Sequence, residues 1–191
     1  MSKNPKIKKE LSREDLIQFF RNLDLELTRR KKHLNCTLLG GAAIILLNFK
    51  DRSTRDIDVP SSQDELDFLI QSGIKYGIEV QPIAITTTVN FLECEKQKVF
   101  FGKYLEVQTI SAQDLIKSKL ERYQKQDLDD IDTIIKKINL SFEGFAKLFG
   151  EMLQDFVGST DRLTMQARNV VEYNYPDRVE WFYRSFRLSY E

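Results

Sequence analysis

Asp56 and Asp58 stand one residue apart in the stretch "RSTRDIDV", residues 52 to 59, with Ile57 and Val59 alternating between them. In a strand, alternate side chains point to one face and repeat at about 6.6 to 7 Å. The two carboxylates then share a face and repel each other, while Ile57 and Val59 turn toward a core. A divalent cation removes that repulsion. Mg²⁺ takes oxygen ligands, often one or two carboxylates completed by the phosphate oxygens of a substrate. Two metals about 3.5 to 4 Å apart would clamp an attacking hydroxyl and a leaving pyrophosphate. Upstream, Gly40 and Gly41 open an apolar run, Ala42 to Leu47. A glycine pair at a helix start presents bare backbone N–H groups, which suit an anion. No Gly-Lys-Ser/Thr follows, so this is not a nucleoside-triphosphatase P-loop. Arg52, Ser53, Thr54 and Arg55 add donors for phosphate. An ordinary helix-turn-strand accounts equally well for either feature taken alone.

These residues need elements to hold them. Ser12-Arg-Glu-Asp15 has the form of a helix start, and Leu16, Phe19, Phe20, Leu23 and Leu27 recur at helical spacing, which predicts a helix to about Lys32. Cys36 to Leu39 reads as a short buried strand ending at the glycine pair, and Ala42 to Asn48 as a helix. Lys50 to Thr54 is a polar turn, and Asp56 to Val59 a strand that Pro60 should end. Ser62 to Glu65 is expected to cap a helix carrying Leu66, Leu69 and Ile70, closed by Gly73 or Gly77. Ile78 to Ile85 and Val89 to Ile110 are rich in β-formers, with a hairpin at Gly102-Lys103. Ser111 to Asp114 caps another helix, bearing Leu115, Ile116, Lys119 and Leu120, and Asp127 to Ile138 forms a further one. From Ser141 onward only helical patterns remain: Phe142, Phe145, Leu148, Phe149, Leu153 and Phe156, a break at Gly158 to Thr160, then two more helices, the last opened by Pro176. The expected organisation is an N-terminal helix and basic tail (1–34), an α/β domain (35–139) and a helical C-terminal region (140–191).

The totals bound the answer. The chain has 191 residues, 41% of them hydrophobic, which is enough to bury a core. Lys+Arg and Asp+Glu stand at 29 each, so no global charge draws the chain to a polyanion. The basic runs at Lys3, Lys6, Lys8 and Lys9 and at Arg29 to Lys32 read as a solvated tail and a solvated helix end, with RNA contact as the alternative. Cys36, Cys94 and the single His33 supply no structural zinc set, and two distant cysteines fit a reducing cytosol. The longest apolar run is too short to cross a membrane. These features predict a cytoplasmic protein.

The combination of "LLGGAAIILL" with "RSTRDIDV" resembles the nucleotidyltransferase superfamily of the DNA-polymerase-β-like fold. A second block, "DLIKSKLERYQKQDLDDID" from 114 to 132, is similar to a helical segment of the AbiEii-like, toxin-type nucleotidyltransferases and of related uncharacterised bacterial members. The resemblance covers roughly residues 35 to 135. It implies an α/β (α+β) fold, a mixed sheet flanked by helices with a helical C-terminal part. It implies Mg²⁺ as cofactor, held by Asp56 and Asp58, and a nucleoside triphosphate as substrate. Gly40 and Gly41 would shape the phosphate turn, with Arg52, Ser53 and Thr54 at the triphosphate. Lys119 would reach the triphosphate and Asp127 would complete the acidic cluster. Glu106, between inward-facing Leu105 and Val107, stands where many members carry a third carboxylate. The implied reaction moves a nucleotide to an RNA end, such as that of a tRNA, or to a protein hydroxyl. A toxin role with a cognate antitoxin, or a phage-defence role, comes with the resemblance. So does the alternative of a catalytically degenerate relative acting as a nucleotide-binding or protein-interaction module.

On spacing alone, Lys119 also fits a lysine that snorkels from an apolar helix face. Asp127 and Asp130 also fit first-turn acids that favour a helix dipole. Trp181, Phe182, Tyr183, Phe186 and Tyr190 lie among Arg178, Arg184 and Arg187. That mixture suits helix packing or an interface, with base stacking as the alternative.

Overall fold

The computed structural model describes residues 10–83, 88–90 and 93–188. The basic tail from Lys3 to Lys9, the expected strand end at Ile85, and Tyr190 lie outside the described residues. Two compact units divide the chain: of the described residues, 10–83 and 93–111 form the first and 88–90 and 112–188 the second.

The first unit is built from α1 (Arg13–Arg30), β1 (Leu34–Leu38), α2 (Gly40–Leu46), β2 (Asp56–Pro60), α3 (Leu66–Tyr76), β3 (Glu79–Ile83), β4 (Lys96–Phe101) and β5 (Leu105–Ile110). A full capping box starts α1: the Asp15 N–H donates to Ser12 Oγ at 3.2 Å and the Ser12 N–H to Asp15 Oδ2 at 3.0 Å. Its apolar stripe, Leu16, Phe19, Phe20, Leu23 and Leu27, is buried. β1 runs parallel to β5, β5 antiparallel to β4, and β2 parallel to β3. A single bridge between Leu39 and Asp58 joins the two ribbons. This is the mixed sheet expected of the α/β class, flanked by helices. Asp24 of α1 fixes the β4–β5 hairpin by accepting from the backbone N–H groups of Lys103, Tyr104 and Leu105 at 3.0, 2.7 and 2.9 Å.

Two local expectations change. Ser62 does not cap α3, which begins at Leu66 with Glu65 in the left-handed region and no side-chain cap. The polar residues there serve the sheet instead: Gln63 Oε1 accepts from the Thr37 N–H at 2.9 Å and Gln63 Nε2 donates to the Asn35 carbonyl at 2.7 Å. The side-chain amide thus satisfies β1 backbone groups on the edge away from β5. Pro60 ends β2 as expected, as its last residue. α2 starts at Gly40, two residues earlier than the alanine and leucine run predicts.

The second unit is helical: α4 (Ala112–Arg122), α5 (Asp127–Ile138), α6 (Phe142–Asp155), α7 (Thr160–Asn174) and α8 (Val179–Ser185). Ser141 and Ser159 cap α6 and α7 by accepting from the Gly144 and Arg162 N–H groups at 3.1 and 3.2 Å. Pro176 opens a single 3₁₀ turn, Pro176–Arg178, that leads into α8. Phe182 is fully buried and meets Phe145, Phe149 and Phe186 with ring centroids 4.7 to 6.2 Å away. Phe182 is therefore core packing, whereas Tyr183 and Phe186 are half-buried and Trp181 is exposed. By compactness, α4 and α5 group with these helices. Among the described residues, no helix is long and apolar enough to cross a membrane.

Candidate functional site

β1 delivers the chain to Leu39, whose N–H donates to the Asp58 carbonyl at 2.9 Å. The next residue, Gly40, turns into α2 with φ of +60°, a left-handed conformation that favours glycine. A Cβ on Gly40 would fall 1.8 Å from Asp58 Oδ2 and 2.8 Å from its Cγ. The Asp58 carboxylate therefore lies directly on the Gly40 backbone. A Cβ on Gly41 would fall 2.6 Å from Thr54 Oγ1 and 3.8 Å from Arg52 Nη2. The glycine pair and the "RSTRDID" stretch thus meet residue against residue: Asp58 on Gly40, Thr54 and Arg52 beside Gly41.

The loop between α2 and β2 is tied down at its end. Thr54 exchanges backbone hydrogen bonds with Leu11 at 2.6 and 3.0 Å, and its hydroxyl donates to the Asp56 carbonyl at 3.3 Å. Ser53 lies half-buried on the same loop and Arg55 is exposed. Along β2, Ile57 and Val59 are buried at 1% and 0% exposure, so Asp56 and Asp58 occupy the opposite face. Asp56 is half-buried and Asp58 is buried. The parallel register sets Asp56 beside Glu79 and Asp58 beside Gln81. Partners in a parallel pair point to the same face, so Glu79 joins the two aspartates on that side, its Oε1 accepting from Gln81 Nε2 at 2.9 Å. Sequence reasoning missed Glu79. The strand itself is legible, but its register against β2 is not.

Glu106 is not brought to this place. Its Cα pairs with Asn35, whereas Asp58 is bridged to Leu39, four residues further along β1. At strand rise that is about 13 Å. Glu106 Oε2 instead accepts from Lys98 Nζ at 2.8 Å across the hairpin. The expected third carboxylate thus has Lys98 as its partner and stands at the level of Asn35. Among the described residues, no group of three His, Cys, Asp or Glu side chains is gathered closely enough to hold a metal ion.

Lys119 and Asp127 belong to the second unit, where α4 meets α5. Lys119 Nζ lies 3.1 Å from Asp127 Oδ1 and 2.7 Å from Asp130 Oδ2, all three side chains being almost fully buried. Arg122 donates to Asp127 from Nε and Nη2 at 3.2 and 2.8 Å, and the Gln124 N–H donates to Asp127 Oδ2 at 2.6 Å. Burial works to raise the Asp127 pKa. The Arg122 hydrogen bond, the Lys119 charge and the Gln124 N–H outweigh it and hold the carboxyl below its usual range. Lys119 is thus not a snorkelling lysine: its ammonium points inward and is held by the first turn of α5. Asp130 and Arg122 complete this network. The spacing of Asp127 and Asp130, one helical turn apart, was the available signal for a shared partner.

His33 packs its ring on Tyr104 with centroids 4.5 Å apart, as a residue following a helix end. Cys36 is buried, and burial pushes its thiol up to about 12, so it is inert.

A family model described as "Nucleotidyltransferase of unknown function (DUF6036)" matches residues 14–181. No curated protein and no solved structure matches the chain.

Proposed function

The chain belongs to that family of nucleotidyltransferases, and from this premise we propose that it moves a nucleotide from a nucleoside triphosphate to a hydroxyl on an RNA end or a protein. The observation that carries this reading is the pairing of Asp58 with Gly40 and of Thr54 and Arg52 with Gly41. It gathers on one sheet edge a carboxylate, a hydroxyl and a guanidinium, the groups that a metal–triphosphate needs.

The acceptor oxygen would attack the α-phosphorus in line. The bond from that phosphorus to the oxygen bridging the α- and β-phosphates would break, pyrophosphate would leave, and the hydroxyl proton would pass to a carboxylate or to water. Catalysis of this kind rests on positioning and on charge stabilisation. Arg52 and Thr54 would bind the triphosphate oxygens, with Ser53 beside them. Gly40 would leave room for Asp58, and Gly41 for Thr54. Asp56 and Asp58, on one face, fit Mg²⁺, which is commonly held by one or two carboxylates and substrate oxygens. When bound, Mg²⁺ would neutralise charge on the phosphates. For Lys119 and Asp127, action at a triphosphate would require exchanging the Asp127 and Asp130 pairs of Lys119 for phosphate oxygens.

A second reading, a degenerate relative that binds a nucleotide without transferring it, gains support from the displaced Glu106. Both readings fit a cytoplasmic protein, and the transferase reading extends to a toxin neutralised by a cognate antitoxin or to phage defence.

The test is incubation with α-labelled nucleoside triphosphates, Mg²⁺ and either total tRNA or cell protein. Label on RNA or protein, lost in Asp58→Ala, supports transfer. Thermal stabilisation by nucleotide and Mg²⁺ without label transfer supports the degenerate reading. The absence of both overturns the site. Growth arrest on expression, relieved by a co-expressed partner, tests the toxin role.

A further inference from the structure

The second unit carries a groove that the transfer chemistry does not use. It lies between the first turns of α6 and the segment from Arg178 to Phe186, with a volume of about 390 Å³. That is within the range of small-molecule sites, about 300–1,000 Å³. Its walls are Phe142, Trp181 and Phe186, and its rim carries Arg178, Lys147 and Glu143.

The aromatic walls differ in role. Phe186 is anchored, packing on Phe149 at 5.0 Å and on Phe182 at 4.7 Å. Trp181 is 51% exposed, although its neighbour Phe182 is wholly buried. Trp181 meets Phe142 edge-on, at 5.3 Å and 87°. The two rings make a right-angled corner, so a flat guest stacked on one presents its edge to the other. An indole left half in solvent on a rigid aromatic base is a stacking platform.

The rim narrows the guest further. The Arg178 guanidinium sits 5.7 Å over the Phe142 ring and 3.6 Å from Glu143 Oε1, with 56% of its side chain exposed. Lys147 is 80% exposed, its Nζ 4.0 Å from Glu151. Glu151 stands outside the groove, so the lining itself carries two cations against one carboxylate, which disfavours a cationic guest such as the quaternary ammonium ions that aromatic cages take. The two cations suit a guest with a flat aromatic part and an adjacent anion. An unpaired nucleotide has both: a π-face that stacks and a phosphate that arginine and lysine bind. Glu143 then stands where it can accept from an exocyclic amino group of the base.

We propose that this groove binds an unpaired nucleotide within a single-stranded nucleic acid, the base stacked on Trp181 and the phosphate held by Arg178 and Lys147. This goes beyond the transferase reading and does not rest on it, because no residue of the glycine–aspartate site takes part.

Trp181 is the only tryptophan in the chain and reports its own occupancy. The experiment is a fluorescence titration of the full chain with a short oligoadenylate, the same sequence as a duplex, adenosine monophosphate, inorganic tripolyphosphate and an acidic, tyrosine-containing peptide. The expected result is saturable quenching by the single strand that weakens as salt rises. The double variant Arg178→Gln/Lys147→Gln, which keeps the reporter, should bind about tenfold more weakly with unchanged circular dichroism. Asp58→Ala should bind as the parent does, so loss of transfer and loss of this binding are separable. The proposal is overturned by absent quenching, by duplex or tripolyphosphate competing as well as the single strand, or by a double variant that binds as tightly as the parent. Saturation by the mononucleotide alone, or by the peptide alone, likewise overturns it.

Discussion

The two clusters that the sequence singled out are built by opposite means. At Gly40 and Gly41 side chains are removed, so that Asp58, Thr54 and Arg52 come against bare backbone. At the α4–α5 junction charge is added: Lys119 meets Asp127 and Asp130 out of contact with water, and the partly exposed Arg122 closes on Asp127. The first arrangement packs a carboxylate and a hydroxyl against a glycine turn. The second spends its charges on holding two helices together. A buried ion pair is not itself a large source of stability, but removing one partner leaves the other charge stranded.

The largest effect is therefore expected in the second cluster. Lys119→Met should lower stability by about 3–5 kcal/mol. The loss should fall toward the lower end, because Arg122 still serves Asp127. A denaturant melt measures it. If the variant melts like the parent but loses nucleotide transfer, the clamp assignment fails and the triphosphate role gains.

Gly40→Ala comes next. The added methyl must take a left-handed φ, at about 1–2 kcal/mol, and would fall 1.8 Å from Asp58 Oδ2. The carboxylate has to move, so transfer and nucleotide-dependent thermal stabilisation should both be lost. Gly41→Ala is milder, because its methyl would meet the Thr54 side chain at 2.6 Å and its φ is ordinary. The paired change Gly41→Ala/Thr54→Ala, which shortens the obstructing side chain, should recover part of the stability lost in Gly41→Ala. Equal melting of Gly40→Ala and the parent would show that the glycine–aspartate contact is not rigid.

Acid separates the clusters a third way. The Asp127 carboxyl is held below its ordinary value of 3.8 in the fold. A depressed carboxyl contributes stability that is fully present above the unfolded value and lost as pH falls through the folded one. Stability should hold above about pH 4 and then decline, and the decline should be shallower in Asp127→Asn. A thermal melt series against pH reads this. Parallel acid limbs in the two proteins would remove Asp127 from the account.

What the sequence makes legible follows from how local each signal is. The capping box of α1, the bounds of α5 and the alternation of β2 depend on residues a turn or a pleat apart, and the structure carries all three. The meeting of the glycine pair with "RSTRDID" was accessible through family resemblance, not through spacing. Register was not accessible, because a period of two says which face a side chain takes and nothing about its neighbour. Glu79 beside Asp56 and Glu106 beside Asn35 are both consequences of register. Ser62 fails as a cap for a related reason: the residue after it, Gln63, is claimed by β1 backbone groups 26 and 28 residues away. The partners of Lys119 lie on the next helix, which its own helical periodicity does not reveal.

The smallest expected effect is also the sharpest test of that register. Glu106 Oε2 holds Lys98 Nζ at 2.8 Å, with 19% and 64% of the two side chains exposed. An ion pair so open to solvent contributes about 0–1 kcal/mol. Glu106→Gln should therefore melt within about 1 kcal/mol of the parent. Standing about 13 Å along the sheet from the level of Asp58, Glu106 is also too far to share a cation with it, so the variant should keep its nucleotide- and Mg²⁺-dependent stabilisation and any transfer activity. Glu79→Gln, on the aspartate face, is the informative companion. If Glu106→Gln abolished transfer while Glu79→Gln left it intact, the β1–β5 pairing described here would be in the wrong register, and the third carboxylate would return to where family resemblance first placed it.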